Sequence, residues 1–418
     1  RRVLAAVTPL AADEVPLEAA LGRALAGPLT ARATLPPWDN SAMDGYAVRA
    51  VDVREATPES PVRLTVTGGI RAGELPEQRA VEPGHAVRIM TGAPLPAGAD
   101  SVIRVEDTDG ERGTAGVVEV RASRDAGRHV RPGGQDMEAG EVVLPEGTSL
   151  TPGAVAVVAA LGYARVPVVR RPRVAVMSSG DELRTPADFD DVVSGRGIPE
   201  TNGPALLAGL AACGAEPVAL GVARDEEEDI RSRVRSGLGA DLLVTSGGAS
   251  MGEADLVKRV LEGMGLEVGF WRVRIRPGSP FGLARLPRPD APSGLPVLSL
   301  PGNPASAFVT FQLFVRPAVL RLGGHRRVHR RVVTATAGEP LRSTPRLTHF
   351  HRVVLEGEPD TPTVRLTGPT GSGLVRSLGL ADGLAVVPEG RASVEAGEPV
   401  DVILLDDGPG SRESPGYR

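Results

Sequence analysis

Between residues 172 and 323 the chain alternates apolar strand-like runs with helical segments, and this alternation constrains its fold more than any other feature. The strand-like runs are RVAVMSS, EPVALGV, DLLVTSGG and PVLSLPGNP, and the segments between them carry apolar residues at helical spacing. Strands that alternate with helices form a parallel sheet with helices on both faces. We therefore predict a central, doubly wound α/β domain over residues 172–325.

Short strand-like runs separated by glycine and proline fill the regions on either side. Between residues 35 and 135 they read VRLTVTGGI, HAVRIMTGA, DSVIRVEDT and GVVEVRAS, and their regular spacing predicts a small β-barrel or sandwich-like domain. Residues 326–406 return to short runs that include LAVVPEG and PVDVILLD. This last region is predicted to be a C-terminal β-barrel-like domain.

The remaining segments predict a small linker domain. Residues 1–34 are rich in alanine and leucine at helical spacing, and residues 136–171 contain a loop, a helix at about 152–161 and an extended run. We assign both segments to one small α/β linker domain, so that the β domain at 35–135 is an insertion. Residues 407–418 are predicted to be a disordered tail.

Composition argues against several classes of protein. A formal net charge of −5 does not suit a nucleic-acid binder, and the absence of an apolar stretch near 18 residues or of a signal start predicts a soluble, cytoplasmic chain with no membrane partner. Cys213 is the single cysteine, which excludes a disulfide framework and predicts a buried, inert thiol. Scattered histidines and the lack of a nucleophile–base motif argue against structural zinc and against hydrolases.

The segment LPPWDNSAMDGYAVR, Leu35–Arg49, predicts a rigid loop that presents a carboxylate. Two prolines stiffen its entry, residues Asp39–Ser41 can fold a tight turn, and Asp44-Gly45 is a second turn signal before a strand-like run. A fixed carboxylate is what a metal or substrate site requires. The alternative is an ordinary turn between strands.

Polar loops follow each strand of the predicted α/β domain, at the edge where such sheets bind ligands. Glycine pairs allow close approach of a ligand, and the helix that follows offers free N–H groups to a phosphate. For Asp225 or Asn202 taken alone, helix capping is the better interpretation. The loops that should converge on one crevice are Ser178–Glu182, Asp225, Ser246–Ser250 with Gly252–Asp255, and Pro301–Pro304.

The run WRVRIRPGSP, Trp271–Pro280, predicts a group of cations. In a strand, Arg272, Arg274 and Arg276 would share one face because side chains alternate. That face is either simply solvated or a clamp for an anionic ligand, since guanidinium matches phosphate and oxyanion geometry. A divalent cation bridging carboxylates and a phosphate would reconcile the acidic loops with a negative ligand.

Two further motifs of the inserted β domain add polar groups. RIMTGA contributes the hydroxyl of Thr91, and RPGGQD contributes Arg131 and Asp136. Thr91 is otherwise a turn residue and Asp136 a surface cap.

These residues resemble a known family, the molybdopterin molybdotransferases, which includes the gephyrin E domain. The similarity runs in order from about Val7 to Val402, and the C-terminal GSGLVRSLGLADGLAVVPEG matches less tightly. The motifs that carry it are VTPL at 7–10, DNSAMDGYAVR at 39–49, RIMTGAPLPAGAD at 88–100, SSGDEL at 178–183, ARD at 223–225, SGGASMGEAD at 246–255 and LPGNPAS at 300–306.

The resemblance implies a fold, an assembly and a reaction. Four-domain subunits would form an elongated homodimer, with the active cleft between the α/β domain of one subunit and the β domain of its partner. Adenylyl-molybdopterin and molybdate would react with Mg²⁺ as cofactor, releasing AMP and leaving molybdenum on the dithiolene sulfurs. A transient contact with the molybdopterin adenylyltransferase would supply the substrate.

The resemblance also implies roles for individual residues. The catalytic residues would be Asp44, Glu182, Asp225 and Asp255. The metal ligands would be Glu182, Asp225 and Asp255. Substrate would be bound by Thr91, Arg131, Asp136, Ser246, Gly247, Gly248, Arg272, Arg276, Ser279, Pro301, Asn303 and Pro304.

The chain departs from the family pattern at several positions, which leaves a second function open. Arg272, Arg276 and Ser279 stand where the family usually has lysines, Glu200 stands near a usual aspartate, and Gly373 replaces a common histidine. The alternative is a diverged, non-catalytic paralogue that binds the pterin intermediate or a partner protein. The related adenylyltransferase step shares only the α/β domain, so the extra β domains argue against it.

Overall fold

The computed structural model describes residues 1–75, 79–110, 116–247, 256–288, 291–357 and 362–405. The chain divides into two compact units. The first comprises Arg1–Gly27, Glu146–Val155 and Arg165–Arg418, and the second comprises Pro28–Pro145 and Ala156–Ala164. This division is coarser than the six predicted segments, whose boundaries stay predictions; the predicted tail at 407–418 lies outside the described residues.

A mixed sheet forms the centre of the first unit. Its six described strands are β1 (Arg173–Ser179), β2 (Glu216–Ala223), β3 (Leu242–Ser246), β4 (Glu267–Phe270), β5 (Gly282–Arg288) and β6 (Ala291–Leu300). Their order is β2-β1-β3-β6-β5-β4. Strands β2, β1, β3 and β6 are parallel to one another, as predicted, whereas β5 runs antiparallel to both β6 and β4. Two residues separate β5 from β6, which is too short for a crossover and forces a hairpin.

Helices cover both faces of this sheet, as predicted. In the described part of the chain they are α1 (Asn202–Ala212), α2 (Glu227–Gly237), α3 (Leu256–Gly263) and α4 (Pro304–Leu322). Residues of α1 and α4 pack on one face in a cluster centred on Phe281, and residues of α2 and α3 pack on the other around Met177. Burial of these apolar side chains is the main force that holds each layer on the sheet.

Helix α4 is long and apolar enough to cross a membrane by length and composition, but it is a core helix here. Of its most apolar 18-residue window, 67% is buried inside the protein. Its middle turn, Phe311–Val315, is a π-helix. Just before it, the Thr310 hydroxyl donates to the carbonyls of Ser306 and Ala307, a local competition that loosens regular helical bonding.

A closed barrel follows the α/β domain, which confirms the predicted C-terminal barrel. The strands described in it are Val332–Ala337, Thr348–Glu356, Thr363–Leu366, Gly383–Val387 and Pro399–Leu404. Each pairs with two neighbours, so the ladder returns to its start. Alternating apolar residues fill the interior.

Short pairs of strands and short helices complete the first unit. Among these, Ile275–Arg276 pairs in parallel with the start of the barrel strand at Thr348. The other described pairs are Ala12–Pro16 with Arg165–Val169, Leu183–Arg184 with Ile198–Pro199, and Leu341–Arg342 with Ser393–Val394. The short helices and 3₁₀ turns are Arg2–Ala5, Leu17–Ala19, Pro186–Asp188, Phe189–Val193 and Arg376–Leu378. The predicted helix at 152–161 is confirmed as Pro152–Ala160.

The second unit is built on a mixed sheet of five described strands, four of which lie in the four predicted runs, and the fifth follows the Asp44-Gly45 turn signal. In order across the sheet, the described strands are Ser101–Arg104, Gly45–Val48, His85–Ile89, Val62–Ile70 and Val117–Val120. Apolar clusters cover both of its faces. Among the described residues no ladder joins its two edge strands, so the sheet is open rather than a barrel. Leu29–Thr30 pairs with Val142–Leu144, Asn40–Ser41 pairs with Val130–Arg131, and Ala50–Val53 and Val105–Asp107 are helical turns.

Candidate active site

A crevice of about 1020 Å³ opens at the carboxyl ends of β1, β3 and β6. The predicted loops meet there, as far as the chain is described. The residues predicted for the site that line the crevice are Glu182, Asp225, Ser246, Gly247, Pro301, Asn303 and Pro304. Gly248 and Asp255 lie outside the described residues.

Glu182 is held where the first strand turns away from the sheet. Gly180 has φ +145°, and a Cβ on it would lie 2.6 Å from the Glu182 carboxylate. Only glycine therefore permits this turn with the carboxylate folded over it. The Glu182 carbonyl accepts a hydrogen bond from the Ile198 amide at 2.8 Å. The main chain of Glu182 is therefore fixed, while its side chain is exposed.

Asp225 does not cap the following helix. The helix has Glu226 at its N-cap and no side-chain cap hydrogen bond, and Asp229 in its first turn accepts the Arg224 amide at 2.8 Å and pairs with Arg233 at 3.0 Å. The hydrogen bond that Asp229 accepts from the backbone amide of Arg224 is the main cause that lowers the pKa of Asp229. Asp181 in turn accepts the Asp225 amide at 3.1 Å. The capping interpretation is therefore wrong for Asp225, whose exposed side chain lines the crevice.

Asn202 ties three loops of the crevice together, a role that the sequence did not reveal. Its Nδ2 donates to Ser246 Oγ at 2.8 Å and to the Gly302 carbonyl at 2.7 Å. The cap of helix α1 is supplied by Glu200, whose Oε1 accepts the Gly203 amide. Asn202 is thus a cross-link between loops and not a cap.

Arg259 also lines the crevice and was missed at the sequence level. Arg259 lies on α3, four residues after Asp255 in the sequence. A separation of four residues puts helical side chains on one face, and this spacing from the acidic motif could have predicted that Arg259 belongs to the site. Gly373 and Val375 of the C-terminal region line the same crevice.

The predicted arginine clamp is not a strand face. Only Ile275–Arg276 is extended, because it pairs with the barrel strand, and residues 271–274 are irregular. Arg274 is paired with Glu389 at 3.1 Å, and Arg272 lines a separate groove beside α4 while its Nε contacts Ser279 Oγ at 3.3 Å. In the described structure neither Arg272 nor Arg276 lines the acidic crevice.

Arg276 and Ser279 line a second cavity of about 660 Å³. Its other charged or titratable lining residues are Arg342, His349, His351 and Arg352. No acidic side chain belongs to the described lining of this cavity. Its electrostatics therefore favour an anion.

Arg352 is the buried cation of this cavity, with 4% of its surface exposed. Its Nε donates to Ser377 Oγ at 2.7 Å and its Nη2 to the Gly371 carbonyl at 3.3 Å. Burial lowers the pKa of this guanidinium. Within the described residues both partners are neutral, and a buried charge without a counter-charge is costly, so an anion in the cavity would complete the site.

Two histidines of the barrel strand are neutral members of this cavity. The Thr344 amide donates to His349 Nε2 at 3.2 Å, which leaves the ring proton on Nδ1. Burial, then Arg276, lower the pKa of His349, and burial lowers the pKa of His351 to about 4. The rings lie 5.8 Å apart. The alternation in THFHR, which puts His349 and His351 on the same face of a strand, is the sequence signal that predicts this pair.

The carboxylate of Asp44 in the second unit is held in place, as the Leu35–Arg49 motif predicts. The turn that positions it is not the predicted Asp44-Gly45 turn. Its Oδ1 accepts the amide and the hydroxyl of Thr91, each at 2.7 Å. Gly45 is already the first residue of a strand, and a Cβ there would collide with the Ile103 carbonyl, so close packing and not a turn explains the glycine. The turn lies earlier, where Ser41 Oγ bonds to Met43.

Asp39, Arg131 and Asp136 contribute to the scaffold of this loop. Asp39 Oδ1 accepts the Gly133 amide at 2.8 Å, Arg131 pairs with Asn40, and the Asp136 amide donates to the Leu35 carbonyl at 3.1 Å. Arg131 and Asp136 are exposed beside the motif.

Replacing Thr91→Val should raise the pKa of the Asp44 carboxyl. The hydrogen bonds from Thr91 lower that pKa, and valine removes the one from the hydroxyl. A lowered carboxyl pKa stabilises the folded protein above the unfolded value, and this stability is lost as pH falls through the folded value. Because Asp44 is exposed, we expect the titration, and hardly the stability, to change.

The measurement is an NMR titration of the Asp44 carboxyl carbon from pH 2 to 7. Thr91→Ser, which keeps the hydroxyl, should titrate like the wild type. An unchanged Asp44 curve in Thr91→Val would show that the hydroxyl bond is without effect.

Comparison with protein-family models gives three matches along the chain. Residues 1–162 match the MoeA N-terminal region (domain I and II), residues 175–321 match a probable molybdopterin binding domain, and residues 334–405 match the MoeA C-terminal region (domain IV).

Individual proteins are similar over almost the whole chain. Molybdopterin molybdenumtransferase 2 of Mycobacterium tuberculosis is 38% identical, covering 93% of this chain and 94% of its own length. Molybdopterin molybdenumtransferase of Nostoc sp. is 36% identical over 94% of this chain and 88% of its own length. A crystal structure of a molybdopterin biosynthesis MoeA protein from Pyrococcus horikoshii superposes with a TM-score of 0.81 at 29% identity, covering 96% of this chain and 97% of that one.

Proposed function

This chain belongs to the MoeA family of molybdopterin molybdenumtransferases, and from that premise we propose that it inserts molybdenum from molybdate into adenylyl-molybdopterin, releasing AMP. It is accordingly a transferase of molybdenum cofactor biosynthesis.

One observation carries the proposal: an acidic crevice and a cationic cavity are neighbours in the first unit. Pro280 lines both of them. A transfer of molybdate to an adenylylated pterin requires a place for a dianion next to a place where a phosphoryl linkage is polarised.

The acidic crevice fits a divalent cation of the Mg²⁺ class. Mg²⁺ uses one or two carboxylates together with substrate phosphate and water. Glu182 and Asp225 are two exposed carboxylates of one crevice, while the described residues contain no group of three protein ligands. We propose that Glu182 and Asp225, with Asp255, hold Mg²⁺, which would act as a Lewis acid on the phosphoryl group.

Molybdate is proposed to bind in the cationic cavity. Arg276 and Arg352 would offset its two negative charges, and the Nδ1–H of His349 would donate a hydrogen bond. Ser279 would line the site, while its hydroxyl donates to the Val273 carbonyl at 2.9 Å. Arg272, predicted as a substrate ligand, lines another groove and is assigned no direct contact. The pterin would lie in the crevice against Ser246, Gly247 and Asn303.

Asp44 is proposed to act across a homodimer. Its carboxylate, held by Thr91, would complete the crevice of the partner subunit, with Arg131 and Asp136 beside it. We further propose a cytoplasmic location and a transient contact with the enzyme that adenylylates molybdopterin.

The test is release of AMP from adenylyl-molybdopterin by the purified protein with molybdate and Mg²⁺. We expect AMP and molybdenum-loaded pterin in equal amounts, and neither without Mg²⁺. Tight binding of the pterin with no AMP release would instead support the alternative, a non-catalytic paralogue. This alternative is favoured by one feature of the sequence: arginine, arginine and serine stand at positions 272, 276 and 279, where the family usually has lysines.

A further inference from the structure

Glu200 is a buried carboxylate in the wall of the acidic crevice, and no step proposed above uses it. It is 7% exposed. Its Oε1 accepts the Gly203 amide and, at 3.2 Å, the Ser178 hydroxyl. Its own amide donates to the Arg184 carbonyl at 2.7 Å, so both ends of the residue are fixed.

Capping alone does not explain this side chain. Within the part of the chain that the structure describes, both of its hydrogen bonds fall on Oε1, which leaves Oε2 for a ligand. A serine or asparagine caps a helix without placing an ion in a buried position. Oε2 does not belong to the buried unpaired side-chain atoms of the described residues, and Glu200 lines the crevice, so Oε2 can accept a hydrogen bond from a ligand bound there.

Among the described residues, the polar side chains of Ser178 and Asn202 beside Glu200 do not donate to Oε2. Asn202, two residues further on, gives its amide to Ser246 and Gly302. Ser178 gives its hydroxyl to Oε1. A ligand of this crevice that carries N–H groups on a flat edge would therefore satisfy Oε2.

We propose that Glu200 positions the pterin ring by accepting a hydrogen bond from its 2-amino group. This inference rests on the proposed function, since it assumes that the crevice takes a pterin. The 2-amino group of a pterin is an N–H donor at the edge of the flat ring, and Oε2 of Glu200 can accept one hydrogen bond from it while Oε1 keeps its two protein partners. Glu200 would thus distinguish a 2-amino-4-oxopteridine from a 2,4-dioxopteridine.

The decisive comparison changes the ligand and leaves the protein intact. The 2,4-dioxo compound presents a carbonyl oxygen to the carboxylate, so two acceptors face each other. Fluorescence titration of the wild-type protein with 6-carboxypterin and 6-carboxylumazine, without divalent cations, should show the pterin binding about 10- to 100-fold more tightly. Equal affinities would overturn the inference without any question of folding.

A variant then assigns the preference to Glu200. In Glu200→Gln the side-chain amide can donate to the 2-oxo group, so the preference should fall to about onefold or reverse. Glu228→Gln, on the exposed face of α2, should keep the wild-type preference. An undiminished preference in a folded Glu200→Gln protein would contradict the assignment.

Failure of this inference is distinguishable from failure of the proposed function. If AMP is released from adenylyl-molybdopterin but the two pteridines bind equally, the function stands and the role of Glu200 falls. If neither pteridine binds and no AMP is released, both fall.

Discussion

Glu182→Gln and Asp225→Asn are each expected to reduce AMP release by about 100- to 1000-fold while the protein stays folded. Both side chains are exposed in the crevice, and each substitution removes a negative charge without changing the size of the side chain. The loss follows from weaker binding of the cation that polarises the phosphoryl group, and electrostatic stabilisation of this kind has effects of that size. Exposed positions of this sort change the free energy of unfolding by roughly 0.5 kcal/mol or less.

Single-turnover AMP release and Mg²⁺ titration of each variant are the measurements. The Mg²⁺ concentration for half-maximal rate should rise in both variants, which a purely structural role would not cause. Glu228→Gln is the matched control, because it is an exposed glutamate of α2 that does not line the crevice. If Glu182→Gln releases AMP at the wild-type rate, Glu182 has no role in the reaction. If the variant does not fold, the role of Glu182 is structural.

Arg276→Gln should weaken molybdate binding by about 10- to 100-fold and raise the KM for molybdate by the same factor. Arg276 is an exposed cation of the cavity that also holds the buried Arg352. A hydrogen bond to a charged group contributes about 1.5–3 kcal/mol, which corresponds to that range. The turnover number at saturating molybdate should change little, because the adenylyl linkage is polarised in the other cavity.

Arg274→Gln is the control that the chain itself offers for this prediction. Arg274 lies two residues earlier, is exposed, and pairs with Glu389 instead of lining the cavity. Calorimetric titration with molybdate should show wild-type affinity for Arg274→Gln and weakened affinity for Arg276→Gln. Equal molybdate affinities in the two variants would show that molybdate does not bind in this cavity. Arg352 is less suitable for substitution, since removing a buried guanidinium also disturbs the barrel.

Sequence patterns predicted the parts of the site that depend on local order. Strand–helix alternation placed the loops at Glu182, Asp225 and Pro301 at one sheet edge, because parallel strands all end at the same side. The Leu35–Arg49 motif predicted a fixed carboxylate at Asp44, and the structure holds it by two bonds from Thr91. These predictions succeeded because chain direction and turn chemistry are local properties.

Patterns failed where a residue's surroundings come from a distant segment. Arg272 and Arg276 share a strand period, yet Arg276 pairs with the barrel strand at His349 and enters another cavity. Asn202 reads as a helix cap, but its amide binds loops 44 and 100 residues further along the chain. No periodicity in one segment reports which other segment will pack against it.

By itself, the order of residues determined the central sheet, the flanking β domains, the acidic loops and the family to which this chain belongs. Only the tertiary structure decided that Glu200 is buried in the wall of the crevice and that Arg276, Arg352 and His349 surround a cavity whose described lining contains no acidic side chain. The reason is that secondary structure follows from short-range spacing, whereas burial and charge neighbours arise when distant segments are packed together.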